Sequence, residues 1–235
     1  MKTTSWLAAA LLFTVVGLAA CTSDKSTKEQ ADEEGQGLAT EQTPATEDKD
    51  WWVPMHSESV TALNNARFQY RQNEEKTAAS EIRKAASWLA FAQKHAEAMT
   101  KENLQTAHNE LVVLADDLDA GNVTDASRMD RVLAHTSQAL AEWHYYKAVE
   151  SYGIDESDYA AKHLQAAVTH LEHAANSAHY EYDPETITVF RHYHKNGASI
   201  VEEKTLDNNE MTKDFDVIKQ AIEDMSEALG EQLEG

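Results

Sequence analysis

The chain has 235 residues, with 41 acidic side chains against 20 basic ones, 8 glycines, 3 prolines and a single cysteine. A formal net charge of −21 argues against nucleic acid as a partner, because phosphate binding needs clustered lysine and arginine. One cysteine excludes an internal disulfide, a CxxC metal knuckle and a CxxCH haem anchor, and the scarcity of glycine and proline disfavours an all-β fold.

The N-terminus reads as an address. Met1 to Ala20 is MKTTSWLAAALLFTVVGLAA: one lysine, an apolar run from Trp6, then Cys21. That run falls short of the about 20 apolar residues a transmembrane helix needs and has the form of a secretory signal peptide. Leu18-Ala19-Ala20-Cys21 resembles the bacterial lipobox, the recognition site of the lipoprotein signal peptidase. The resemblance implies that residues 1–20 are removed and that Cys21 becomes the first residue, carrying acyl chains such as palmitate on its sulfur and amino group. Because Thr22 is not aspartate, it further implies sorting to the outer membrane, with the protein facing the periplasm. Stable anchoring takes more than one acyl chain, which a doubly modified cysteine supplies.

From residue 21 to 50 the chain is polar and acidic, and Leu38 is its only large apolar side chain. Such a segment has nothing to bury and is expected to be a disordered tether, with an r.m.s. span of roughly 30 Å. Trp51-Trp52-Val53-Pro54-Met55 then changes the composition abruptly and is read as a lip packing on the first helix. Residues 51–235 make the folded domain.

Apolar residues there recur at three- and four-residue spacing, which predicts helices throughout. Ser57 caps a first helix to about Asn73 carrying Val60, Leu63 and Phe68; a second runs from about Thr77 to Met99 through Ile82, Ala85, Leu89 and Ala96. Neither proline nor glycine separates these two, so one long helix and two shorter ones both fit. A third covers Lys101 to Asp119 and stops at Gly121. A fourth starts near Thr124 or Asp125, carries Met129, Leu133, Leu140, Trp143 and Val149, and ends at Gly153. Ser157 caps a fifth. Asp183-Pro184-Glu185 opens a sixth with an N-cap, a proline and an acid in the first turn. The last starts near Asn209 and carries Met211, Phe215, Ile218, Ile222, Met225 and Leu229.

Trp88 precedes His108, and Trp143 precedes His163, by the same interval around short polar turns. This repeat predicts two antiparallel hairpins that together form a four-helix-type bundle, with the other helices flanking it. Ala148, Ala160, Leu164 and Ala167 of the second copy resemble the tetratricopeptide pattern, which also implies a helical hairpin; the usual Trp, Gly, Tyr and Pro positions of that pattern are not matched.

Eleven histidines are the main chemical signal. His163, His170 and His173 share one face of the fifth helix and form the candidate metal site, suited to Zn, Cu or a non-covalently held haem if His108, His135 or His144 on a neighbouring helix completes it. His192 and His194 point to different sides and make a poor chelate. No histidine follows a glutamate by three residues, HExxH is absent, and so are GxSxG and any glycine-rich phosphate loop, so no enzymatic centre is expected. Acid spread along all helices reads as a hydrated surface. The expectation is a membrane-anchored envelope lipoprotein with a non-enzymatic helical domain that binds or scaffolds an envelope protein, the alternative being a periplasmic metal- or haem-binding protein.

Overall fold

A computed structural model of the chain describes residues 52–122, 124–201 and 208–234. The signal peptide, Cys21, the tether and Trp51 lie outside the described residues. The described residues form α1 (Trp52–Arg71), α2 (Glu75–Lys94), α3 (Ala98–Asp119), α4 (Ala126–Gly153), α5 (Ser157–Ala178), α6 (Pro184–Val201) and α7 (Asn208–Glu234), with no strand among them. The protein is all-α, and its helices pack pairwise as a bundle.

The breaks follow local chemistry. Asn73 takes the left-handed conformation (φ 60°), and the amides of Gln72 and Glu74 turn back to the carbonyls of Phe68 and Gln69, so α1 and α2 are separate helices. Asparagine adopts that conformation more readily than other residues with a side chain, which is how the chain turns without a glycine. Gly121 (φ 68°) ends α3 as expected, with Asn122 N–H donating to Asp117 O at 2.9 Å. Asp125 caps α4 by accepting from Arg128 N–H at 2.6 Å. Asp183 Oδ1 accepts from the amides of Glu185 (2.7 Å) and Thr186 (3.1 Å), and its Oδ2 accepts from the Thr186 hydroxyl. Asp183→Ala is therefore expected to fray the first turn of α6, seen as faster amide exchange at residues 185–187 with α4 and α5 unchanged.

Several boundaries and faces differ from the sequence reading. α1 begins at Trp52, ahead of Ser57, because Pro54 in its first turn forfeits only an amide that has no helical partner there. Met99 belongs to α3 and is exposed; Phe68 and Val149 are exposed too, since each lies just off the apolar stripe of its helix.

Two apolar cores form, and they share α4. One gathers Leu63 of α1, Ile82 and Leu89 of α2, Leu104, Leu111 and Leu114 of α3, and Met129, Leu133, Leu140 and Trp143 of α4. The other joins Ala141, Tyr145 and Ala148 of α4 to Leu164 and Leu171 of α5, Phe190 and Tyr193 of α6, and Met211, Ile218 and Met225 of α7. The α2–α3 and α4–α5 hairpins occur where the repeat placed them, and both are antiparallel: Arg83 meets Asp116 while Gln93 meets Leu104, and Ser137 meets His173 while His144 meets His163. They do not share one core, however. The helix that closes the first core against α2, α3 and α4 is α1, and α5 serves the second.

Candidate functional site

Polar side chains line the boundary between the two cores. On α5 the residues His163, Ala166, His170, His173 and Ser177 repeat at alternating three- and four-residue steps, which on a helix makes one straight seam. That seam faces α4, which presents Ser137 and His144, and α1, which presents His56 and Ser59. The antiparallel α4 strings its contacts in opposite order along α5. By contrast α1 runs parallel to α5, with His56 meeting Thr169, Ser59 meeting His170, and Arg67 reaching the Asn176 carbonyl.

His144 is the centre of the layer. Its Nδ1 lies 3.0 Å from His163 Nδ1, one nitrogen donating and the other accepting. Its ring stacks on His170, with centroids 5.6 Å apart and planes 16° apart, and sits 5.3 Å from the ring of His163. Trp143 closes one side, edge-on to His163 at 6.2 Å. His170 Nε2 is 3.3 Å from Ser59 Oγ, and His173 Nδ1 is 2.7 Å from Ser137 Oγ. His144 and His170 are completely buried; His163 and His173 are nearly so.

Burial holds all of these imidazoles neutral. It pushes His163 down to about 3 and His173 down to about 4, and it sets His144 and His170 well below the ordinary histidine range. The electrostatic neighbours act in the same direction, because they are cations or other imidazoles: Lys147 near His163, Arg67 near His173, and His56, itself lowered by burial, near His144 and His170. Arg67 lies beside Asp130, its Nε 2.8 Å from Oδ1 at an angle outside hydrogen-bond geometry.

Neither a protein family, nor a curated protein, nor a solved structure matches this chain. The site is therefore read from its own geometry.

Three buried nitrogens in the layer have no hydrogen-bond partner: His144 Nε2, His170 Nδ1 and His173 Nε2. Leaving a buried polar atom unpaired costs roughly 1–3 kcal/mol, so the layer holds unmet bonding capacity. The sequence-chosen trio His163, His170 and His173 does share one face of α5, but ten residues of helix spread it over about 15 Å, too far to meet on one ion. Accordingly, among the described residues no three His, Cys, Asp or Glu side chains already form an ion-holding group. His173 turns to Ser137, while His144 fills the gap between His163 and His170. Of the neighbouring-helix histidines named from sequence, His144 joins the layer; His135 turns away to Glu110 (2.7 Å) and Asn103 (2.9 Å) on α3. His192 and His194 diverge as expected, to Asp214 at 3.0 Å and Glu172 at 2.6 Å. Sequence reasoning missed His56, Ser59 and Ser137. Ser137 lies seven residues before His144, two turns along the same face of α4, and that shared face was the signal for it.

Proposed function

We propose that this chain is a lipid-anchored protein of the bacterial envelope, held through Cys21 and its tether at the periplasmic side of the outer membrane, whose helical domain binds or scaffolds and does not catalyse. The observation that carries the non-enzymatic reading is the position of the histidines. The densest chemistry in the chain is enclosed between two apolar cores, and its groups are held neutral with α1 packed against them. General acid–base work needs groups within hydrogen-bond reach of a substrate and titrating near the working pH, and these imidazoles meet neither condition. The lipobox-like Leu18-Ala19-Ala20-Cys21 supports the anchor, and the acidic, charge-studded helices suit a domain standing in solvent beside a membrane or an envelope protein.

The test is fractionation with metabolic palmitate labelling in a Gram-negative host. Wild type is expected in the membrane fraction with label incorporated, and Cys21→Ala in the soluble periplasmic fraction without it. Recovery of Cys21→Ala with membranes to the wild-type extent overturns the anchor.

A further inference from the structure

We propose that the cleft between the end of α5, the loop after it and α6 binds a small quaternary ammonium compound of choline size. The proposal rests on the reading of this domain as one that binds and does not catalyse, and it is independent of the lipid anchor.

The cleft is built by the way α5 ends. His179 takes the left-handed conformation (φ 55°), and the Tyr180 amide returns to the Ala175 carbonyl at 2.9 Å. The chain then runs without regular structure through Tyr180, Glu181 and Tyr182 until Asp183 caps α6. That link sets Tyr180 edge-to-face with Tyr182, 5.0 Å between centroids and 79° between planes. Phe190 of α6 repeats the arrangement against Tyr182, at 5.1 Å and 76°. With Ile187, Glu181 and Glu172 of α5, these three rings line a cavity of about 470 Å³. Sites for small molecules occupy about 300–1,000 Å³ and combine aromatic walls with a few polar groups.

Charge decides which small molecule fits. Glu172 and Glu181 are in the lining, and Asp183, Asp224 and Glu227 lie close enough to act on the Tyr180 hydroxyl. Asp224 and Glu172 act in the same way on Tyr182. Among the described residues that line the cleft, Arg191 is the single basic one, and it is exposed. The rings therefore stand in a field of negative sign, which draws in a cation and repels an anion. The same carboxylates hold the cleft away from an anionic bilayer surface, which favours a free molecule over a lipid headgroup.

Ring surface decides which cation. An aromatic face is the negative side of its quadrupole and attracts a cation within about 6 Å. An ammonium ion with N–H groups needs acceptors as well, and Glu172 already accepts a bond from His194 Nε2 at 2.6 Å. A quaternary ammonium donates no hydrogen bond and is weakly hydrated, so ring surface and negative charge satisfy it. Its methyl groups also suit the apolar Ile187.

The experiment is calorimetric titration of the full-length protein, solubilised in a maltoside detergent, with choline chloride. Choline's uncharged carbon isostere 3,3-dimethylbutan-1-ol and ammonium chloride are titrated in parallel at matched ionic strength. One choline per chain is expected, bound about 10-fold more tightly than either control. Tyr180→Leu removes a half-buried ring and should weaken choline binding about 10-fold, with near-ultraviolet circular dichroism confirming the fold. Glu181→Gln changes an exposed side chain, requires no repacking, and should weaken it about 3-fold. Arg191→Gln removes the opposing charge and should strengthen it about 3-fold. Cys21→Ala should bind as wild type does, so failure of the anchor and failure of the cleft are read separately. Absence of saturable choline binding, equal affinity for the isostere, or unchanged affinity in both Tyr180→Leu and Glu181→Gln overturns the site. So does weaker binding in Arg191→Gln, the mark of an anion site, or binding to phosphatidylcholine vesicles without binding of free choline.

Discussion

Taking the protein from pH 7.5 to pH 5 is expected to remove a large part of its stability. An unfolded histidine binds its proton near pH 6.5, whereas burial holds His163 down to about 3 and His173 down to about 4 in the fold and sets His144 and His170 well below 6.5. Because the folded values are depressed, the unfolded chain holds more protons at acid pH. Stability is therefore fully present above pH 6.5 and falls as the pH drops from there toward the folded values of about 3 and 4 at His163 and His173. At pH 5 His163 and His173 each cost roughly 2 kcal/mol, about 4 kcal/mol together, and His144 and His170 act in the same direction, against a total of about 5–15 kcal/mol for an ordinary domain. Among the described carboxylates only Asp214, whose carboxyl burial raises, works against the effect as the pH falls. Hydrogen bonds lower Asp117, Asp125 and Asp183, so the stability these give is lost only below their ordinary value of 3.8, after the histidines have titrated. Urea titrations at pH 7.5, 6 and 5 should show stability falling by more than about 2.5 kcal/mol per pH unit at the acid end, the slope that His163 and His173 alone supply. A slope near 1.4 kcal/mol per unit, the mark of one histidine, would sink the assignment of four neutral imidazoles. In His144→Leu/His163→Leu the slope should fall by half.

How much of this was legible in the sequence depends on the range of the cause. Breaks set by a single residue were legible: Gly121 in the left-handed region, Asp125 and Asp183 as caps, Pro184 in a first turn. The sharing of one face by His163, His170 and His173 followed from helical spacing alone, as did the hairpins. What spacing does not contain is which helix covers that face. His56 and Ser59 lie 113 and 111 residues from their partners Thr169 and His170, and nothing local to α1 ties it to α5. The periodic pattern likewise says that α4 is buried on most sides without saying that it serves two cores. Residues at the edge of a stripe, such as Phe68 and Val149, were read as core because a one-residue offset turns a side chain by about 100°, enough to carry it into solvent. His163, His170 and His173 share a face but not a point, because ten residues of helix separate the first from the last along its axis. The histidine that lies between His163 and His170 comes from the facing helix, and it is His144.

Trp143→Ala is expected to cost about 3–5 kcal/mol, the range for emptying the site of a large buried aromatic side chain, and to loosen both cores at once. Trp143 is 1% exposed, belongs to the first core, and also packs against His144 (4.7 Å between centroids) and edge-on against His163 of α5. Its loss leaves a cavity at the one helix both cores use, so neither can relax independently of the other. For a domain of this size the predicted loss lowers Tm by roughly 6–20 °C, whereas Phe68→Ala, at a side chain 59% exposed, should stay within about 0.5 kcal/mol of wild type. Amide exchange tells a shared helix from two adjoining units. If α4 couples the cores, protection falls together in α2, which meets only the first, and in α7, which meets only the second. Retained protection in α7 beside accelerated exchange in α2 would mean that the cores unfold separately, and that the histidine layer between them is an interface opened by local motion instead of a layer locked by global stability.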